Sequence, residues 1–133
     1  MKVVLDSSVL ITASISRAGV CAELLEDVLT QHELMISDFI AQELGRKLCD
    51  KFNFPESEVR QLRRFLVRMA TTVVPTDLPA RVCRDPSDIP VLGTAVAAGA
   101  SVLVTVDKDL LALGGFQSIA IIEPGDFWRR TTG

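Results

Sequence analysis

The amino-acid sequence predicts an α/β fold, in which a parallel sheet is covered by helices on both faces to give a three-layer α/β/α sandwich. Short β-rich segments, such as 2–5 and 101–106, alternate along the chain with stretches whose apolar residues recur at helical spacing. Such alternation favours parallel strands joined by helical crossovers. The chain has 133 residues, of which 48% are hydrophobic, and this suits one domain with a sizeable core.

The first half of the chain predicts two strands and three helices. Residues 2–5 form an apolar strand that ends at Asp6, and a serine then caps a helix over 7–16. Apolar residues at helical spacing across 21–29 predict a second helix. A short strand over 34–37 and a helix over 38–52 follow.

Prolines divide the second half of the chain. Pro55 suits the first turn of a helix over 55–70, Pro75 ends a strand over 71–74, and Pro90 places the start of a later helix near Asp88. The remaining segments are a polar loop over 76–87, a helix over 88–98, a strand over 101–106, a short helix over 110–113 and a last strand over 119–122.

Composition excludes several classes of site. The three cysteines are odd in number and widely spaced, which favours reduced thiols in a cytoplasmic protein. The single histidine, His32, makes a histidine-based metal site or a Ser-His-Asp triad hard to build. No apolar stretch is long enough to predict a transmembrane helix, and a net charge of −3 argues against binding nucleic acid by bulk charge alone.

Four acidic residues stand where a parallel α/β sheet binds its ligands. Asp6 and Asp107 each follow a strand, Glu43 lies in the helix after the second strand, and Asp88 opens a helix. In such sheets ligands bind beyond the carboxyl ends of the strands. Each residue also has an ordinary explanation as a helix cap, a turn residue or an exposed helix residue, and Asp85 competes with Asp88 for the cap.

If these carboxylates meet, a divalent cation explains them best. Two carboxylates about 4 Å apart repel each other by roughly 4 kcal/mol at an effective dielectric constant of 20. Mg²⁺ and Mn²⁺ prefer hard oxygen ligands, and such ions can activate a water for phosphodiester hydrolysis. The pattern therefore predicts a metal site that depends on carboxylates.

The order of these motifs resembles a PIN domain, and is most similar to the ribonuclease toxins of toxin–antitoxin pairs. The resemblance covers residues 1–133 as a single PIN-like domain and is carried by Val3-Val4-Leu5-Asp6-Ser7-Ser8, Glu43, Arg84-Asp85-Pro86-Ser87-Asp88 and Thr105-Val106-Asp107-Lys108-Asp109. It implies a central parallel sheet of roughly five strands, a Mg²⁺- or Mn²⁺-dependent endoribonuclease acting on RNA, a homodimer and an antitoxin partner.

The resemblance also implies the site residues. Asp6, Glu43, Asp88 and Asp107 correspond to the catalytic acidic quartet, Asp109 is an additional metal ligand, and Ser8 and Thr105 support the site. The sequence Ile89-Pro90 departs from the family's more polar residues after the helix-opening aspartate, and this change is expected to tilt the helix that carries Asp88.

Basic residues form a second stripe on the helix over 55–70. Arg60, Arg63, Arg64 and Arg68 are either a solvated helix face or contacts for RNA phosphates or an acidic partner segment. Further candidates are Arg17, Arg46, Lys47 and Lys108. The substrate-binding set that we predict from them is Arg46, Lys108, Arg60 and Arg64.

Two other functions compete with the ribonuclease. One is a catalytically silent PIN fold that serves as a binding or scaffold module, and the presence of all four carboxylates argues against it. The other is a phosphoaspartyl enzyme or receiver that uses Asp6 as its nucleophile. Ser8 stands where such a phosphatase requires a second aspartate, so this alternative is weak.

Overall fold

A computed structural model of the chain describes residues 1–16 and 18–132, and side chains as far as Arg129. Its strands form one sheet in the order β3-β2-β1-β4-β6-β5, parallel except for β5. The strands are β1 (Lys2–Leu5), β2 (Glu33–Ile36), β3 (Thr71–Thr72), β4 (Val102–Val104), β5 (Gly115–Phe116) and β6 (Ile119–Ile122).

Helices connect the parallel strands, as the alternating pattern predicts. They are α1 (Ser7–Ile15), α2 (Val20–Gln31), α3 (Asp38–Phe52), α4 (Glu56–Met69), α5 (Ile89–Ala98), α6 (Lys108–Leu113) and α7 (Phe127–Thr132). In the described part of the chain, no single helix is long and apolar enough to cross a membrane, and α1 and α2 meet that test only when joined across their 108° bend.

The two central strands, β1 and β4, are buried on both faces. Successive side chains of a strand point to opposite faces of the sheet, yet residues 3–5 of β1 and 102–104 of β4 are all 0–1% exposed. Helices therefore cover both faces, and the predicted α/β fold with a mostly parallel sheet is confirmed.

The strands predicted over 71–74 and 101–106 are shorter in the structure, and β5 and α7 were not predicted from the sequence. Residues 115–116 form β5, a sixth strand that pairs antiparallel with β6 across a tight turn in which Gln117 has a φ of 54°. Helix α7 follows a 3-10 turn over Pro124–Asp126 and buries Phe127 completely. Both elements are too short to show a periodic pattern of apolar residues.

Gly93 allows the loop after β3 to lie directly against α5. The amide of Thr76 donates a hydrogen bond to the carbonyl oxygen of Gly93 at 3.0 Å. A Cβ atom at Gly93 would overlap the carbonyl oxygen of Thr76 and contact Pro75 at 3.3 Å. The loop is therefore held against α5 through main-chain atoms that cannot swing aside as a flexible side chain would.

We predict that Gly93→Ala destabilises the protein although alanine is the better helix former. The gain in helix propensity is about 1 kcal/mol, whereas overpacking against fixed backbone costs about 1–3 kcal/mol and also strains the hydrogen bond from Thr76. Thermal melts should show a lower midpoint for Gly93→Ala. Gly125→Ala is the matched control, because its Cβ would meet nothing within 4 Å. Equal midpoints for the two variants would contradict the close contact.

Candidate active site

Asp6 and Asp107 lie at the carboxyl ends of the adjacent strands β1 and β4. The amide of Asp6 donates to the carbonyl oxygen of Val104 at 3.0 Å, which extends the pairing of the two strands by one residue. Each aspartate also caps the helix that follows it. Asp6 Oδ1 accepts from the amide of Ser7 at 2.7 Å, and Asp107 Oδ1 accepts from the amide of Asp109 at 2.8 Å.

The hydroxyl of Thr105 connects these two aspartates. It donates to Asp6 Oδ2 at 2.7 Å and accepts from the amide of Asp107 at 3.0 Å, and its side chain is fully buried. The hydroxyl of Ser8 also donates to Asp6 Oδ2, at 3.2 Å. The two hydroxyls that the sequence analysis assigned to support thus hold one oxygen of Asp6 in place.

Glu43 reaches the same edge of the sheet from α3. Its Oε1 accepts from the hydroxyl of Ser7 at 2.5 Å and lies 3.4 Å from Lys47 Nζ, one helical turn further along α3. Glu43 is thereby bonded to the residue that directly follows Asp6. The sequence analysis did not identify Ser7 as a site residue, and its place directly after Asp6 is the only indication that the sequence gives.

Asp88 is the most perturbed of the acidic residues. It ends a 3-10 turn over Pro86–Asp88, is 6% exposed, and its buried Oδ2 has no hydrogen-bond partner among the described residues. Burial first, and then the charges of Asp107, Asp85, Asp6 and Asp109, raise the pKa of Asp88 to about 7. Pro90 occupies the first turn of α5, and Asp88 still faces the other carboxylates.

Asp85 and Asp109 complete the acidic cluster around Asp88. One carboxylate oxygen from each of the three residues lies within 4.8 Å of the other two. Asp85 was not among the predicted metal ligands, because its position before Pro86 was explained by a capping role. Its Oδ1 accepts from the amide and the hydroxyl of Ser87, and these bonds lower the pKa of Asp85. The Asp-Pro-Ser-Asp turn thus brings its two carboxylates together.

The cluster has the donor chemistry of a divalent-cation site. Its ligands are carboxylate oxygens, as Mg²⁺ and Mn²⁺ require. Burial also raises the pKa of Asp6, and the charge of Glu43 adds a smaller increase. The hydrogen bonds that the Asp6 carboxylate accepts oppose this rise and only partly cancel it. A cation would lower the repulsion between the carboxylates, and the unpartnered oxygen of Asp88 would coordinate it. The residues present therefore fit a divalent metal.

The basic residues predicted to bind substrate lie in two separate places, one beside the acidic cluster and one on α3 and α4. Lys108 is exposed in the first turn of α6, next to Asp107 and Asp109. Arg46 is exposed on α3, and Arg60 and Arg64 are exposed on α4. Arg46, Arg60 and Arg64 line a groove between α3 and α4 whose lining includes none of the clustered carboxylates. Arg17, another candidate, lies outside the described residues.

Comparison with known proteins gives one family and a set of similar folds. Residues 2–109 match the family described as the PIN domain. The solved structure of VapBC-1 from nontypeable Haemophilus influenzae is similar over 94% of this chain and 99% of that one, with 16% identity and a TM-score of 0.65. No curated protein matches the chain.

Two further solved structures share the fold. VapC20 from Mycobacterium tuberculosis, described as a toxin that cleaves the sarcin-ricin loop, is similar over 89% of this chain and 98% of that one, with 12% identity and a TM-score of 0.59. FitAcB from Neisseria gonorrhoeae is similar over 92% of this chain and 98% of that one, with 15% identity and a TM-score of 0.59.

We predict that the metal-free protein loses stability as the pH rises from about 4 to about 7. Between the ordinary pKa of 3.8 and the folded-state pKa of about 7, folded Asp88 holds a proton that the unfolded chain has released. Raising the pH in this range therefore favours unfolding. Melts in EDTA should show this fall in midpoint for the wild type and a shallower fall for Asp88→Asn.

Asp50→Asn is the control for this experiment, because Asp50 is an exposed carboxyl of α3 outside the cluster. Its midpoints should follow the pH as those of the wild type do. If Asp88→Asn and the wild type gave parallel curves, Asp88 would not be the group that titrates in this range.

Proposed function

Because the chain belongs to the PIN-domain family, we propose that it is a Mg²⁺- or Mn²⁺-dependent endoribonuclease that cleaves RNA phosphodiester bonds. The observation that carries this proposal is the buried, unpartnered Oδ2 of Asp88 among other carboxylates. A buried oxygen of this kind costs free energy unless a ligand or a proton satisfies it. With a pKa of about 7, Asp88 is only partly protonated near neutral pH, and a bound cation would satisfy the charged form of its carboxylate.

We assign metal binding to Asp6, Glu43, Asp88, Asp107 and Asp109, and add Asp85 to this set. These residues would hold a divalent ion, and the chemistry that the ion would supply is activation of a water for attack and neutralisation of charge on the phosphate oxygens. Thr105 and Ser8 fix the orientation of Asp6, and Ser7 and Lys47 fix that of Glu43. This preorganisation keeps the carboxylates in place while the charge on the substrate changes.

We further propose that the protein is the toxin of a toxin–antitoxin pair, acting in the cytoplasm as a homodimer that an antitoxin protein silences. Support comes from the similar fold of the Mycobacterium tuberculosis protein, which is described as a toxin that cleaves the sarcin-ricin loop. The similar folds of the VapBC-1 and FitAcB structures also support this proposal. The competing function is a catalytically silent PIN module that serves as a binding or scaffold protein. A measurement of ribonuclease activity distinguishes this function from that of a toxin.

We predict that Asp6→Asn abolishes ribonuclease activity and preserves the fold. Asparagine keeps the size of the side chain and an oxygen that accepts from Ser7 or Thr105, so the ends of β1 and β4 stay joined. It loses the charge that holds a divalent ion, and loss of a direct ligand lowers the rate on the order of 100-fold or more. The assay is cleavage of a mixed single-stranded RNA pool in Mn²⁺, with a melt of each protein.

Asp50→Asn serves again as the matched control and should cleave like the wild type. A folded Asp6→Asn protein that cleaves like the wild type would exclude the carboxylate mechanism. A folded wild type that neither cleaves the pool nor arrests growth when expressed would favour the binding or scaffold module.

A further inference from the structure

A groove lined by arginine side chains runs between α3 and α4. The two helices are joined by the short connection over 53–55 and pack against each other as a helical hairpin. Two adjoining hollows of about 510 Å³ and 470 Å³ lie along this hairpin and share Gln42, Arg60 and Arg63. The arginines that line the groove are Arg46, Arg60, Arg63, Arg64 and Arg68. We call it the arginine groove.

Ion pairs within the described part of the chain leave the arginines of this groove unpaired. Among the described residues, none of its five arginines lies within 4.0 Å of a carboxylate. Its acidic lining residues are Asp38 at one end and Glu56 at the other. On a chain whose net charge is −3, a concentration of cations in one concave surface indicates an anionic occupant.

Gly45 shapes the floor of the groove. A Cβ atom there would lie 3.1 Å from Cδ of Arg63 and 3.2 Å from Val59. The half-buried side chain of Arg63 therefore lies close to the backbone of α3, and its Nη1 would be 3.4 Å from that Cβ atom. Arg60, Arg64 and Arg68 are exposed.

The arginine groove begins at the edge of the sheet that carries the acidic cluster. α3 starts at Asp38, directly after β2, and runs away from that edge. Asp38, Gln42 and Arg46 face the groove, whereas Glu43 and Lys47 face Ser7 on α1. One helix therefore presents metal-binding chemistry on one side and the arginine groove on the other.

We propose that the arginine groove binds the sugar-phosphate backbone of a single-stranded RNA segment that flanks the scissile bond; this inference rests on the proposed ribonuclease function. The acidic cluster itself repels a polyanion, so the phosphates on either side of the cleaved one require cations nearby. Arginine suits this role because its planar fork binds phosphate oxygens in pairs and its flat face stacks on unpaired bases.

An acidic protein segment is the other anionic occupant, and the lining disfavours it. Tight protein partners bury large aromatic or aliphatic anchors in well-formed pockets. Among the described residues, the apolar lining consists of the short side chains Ala41, Cys49, Val59 and Val67, and no aromatic residue takes part. A backbone of regularly spaced phosphates needs no such anchor, only cations along its path.

The test is RNA binding by Arg60→Gln/Arg64→Gln, with Lys2→Gln/Lys51→Gln as the control that loses the same charge. All four residues are exposed, and the two lysines lie outside the groove. Every protein also carries Asp6→Asn, so the RNA stays intact. Fluorescence anisotropy of a labelled, mixed-sequence single-stranded RNA gives the affinity at several salt concentrations, and thermal melts verify folding.

Each phosphate contact contributes about 0.7 to the slope of log affinity against log salt for single strands. Loss of two contacts should therefore lower the slope by about 1.4 and weaken binding by about 25-fold at 0.1 M salt. The lysine control should keep the slope and affinity of its parent. This outcome supports RNA in the arginine groove.

Other outcomes overturn the proposal. Equal losses in the arginine and lysine variants would mean that bulk charge, not the groove, attracts RNA. Binding of a labelled polyglutamate peptide that depends on Arg60 and Arg64, without such dependence for RNA, would assign the groove to an acidic protein. Both results leave the ribonuclease function untouched, because cleavage by the wild type and its loss in Asp6→Asn test that function separately.

Discussion

Repulsion among carboxylates at the carboxyl end of the sheet is the constraint on which this structure depends. The side chain of Asp88 is buried and also experiences the charges of four other aspartates, and these two causes raise its pKa to about 7. Nothing in the fold requires acidic residues here, since serine or asparagine would cap the same helices at no electrostatic cost. The protein keeps a destabilising arrangement, which a bound cation would turn into a stabilising one.

The hydrogen bonds around the cluster hold the carboxylates in place without neutralising all of them. Thr105 and Ser8 share one oxygen of Asp6, and Ser7 holds Glu43 with the help of Lys47. The buried oxygen of Asp88 accepts no such bond from any residue that the structure describes. Side chains that are oriented in advance need little rearrangement when an ion binds, which is the property that a hydrolytic metal site requires.

The periodicity of apolar residues predicted the long helices and strands well, whereas contacts between segments far apart in the sequence could not be predicted from it. Strand 2–5 and helix 38–52 appear in the structure with those bounds, because their apolar patterns span several residues. β5 is a two-residue strand whose pairing depends on the turn at Gln117. In the site, aspartates that follow strands were recognisable. The bond from Ser7 to Glu43 was not, since it joins residues 36 positions apart. Asp85 was explained as a cap. It does accept a hydrogen bond from the amide of Ser87, and its carboxylate also lies within 4.8 Å of that of Asp88.

The most direct measurement is the pKa of the Asp88 carboxyl with and without Mg²⁺, followed by carbon NMR of aspartate-labelled protein and assigned with Asp88→Asn. Without metal, the account predicts a pKa of about 7. Saturating Mg²⁺ should lower this pKa well below that value, because the ion favours the charged carboxylate. A pKa near the ordinary 3.8 without metal, or a raised pKa that Mg²⁺ leaves unchanged, would contradict the claim that the acidic cluster is built for a cation.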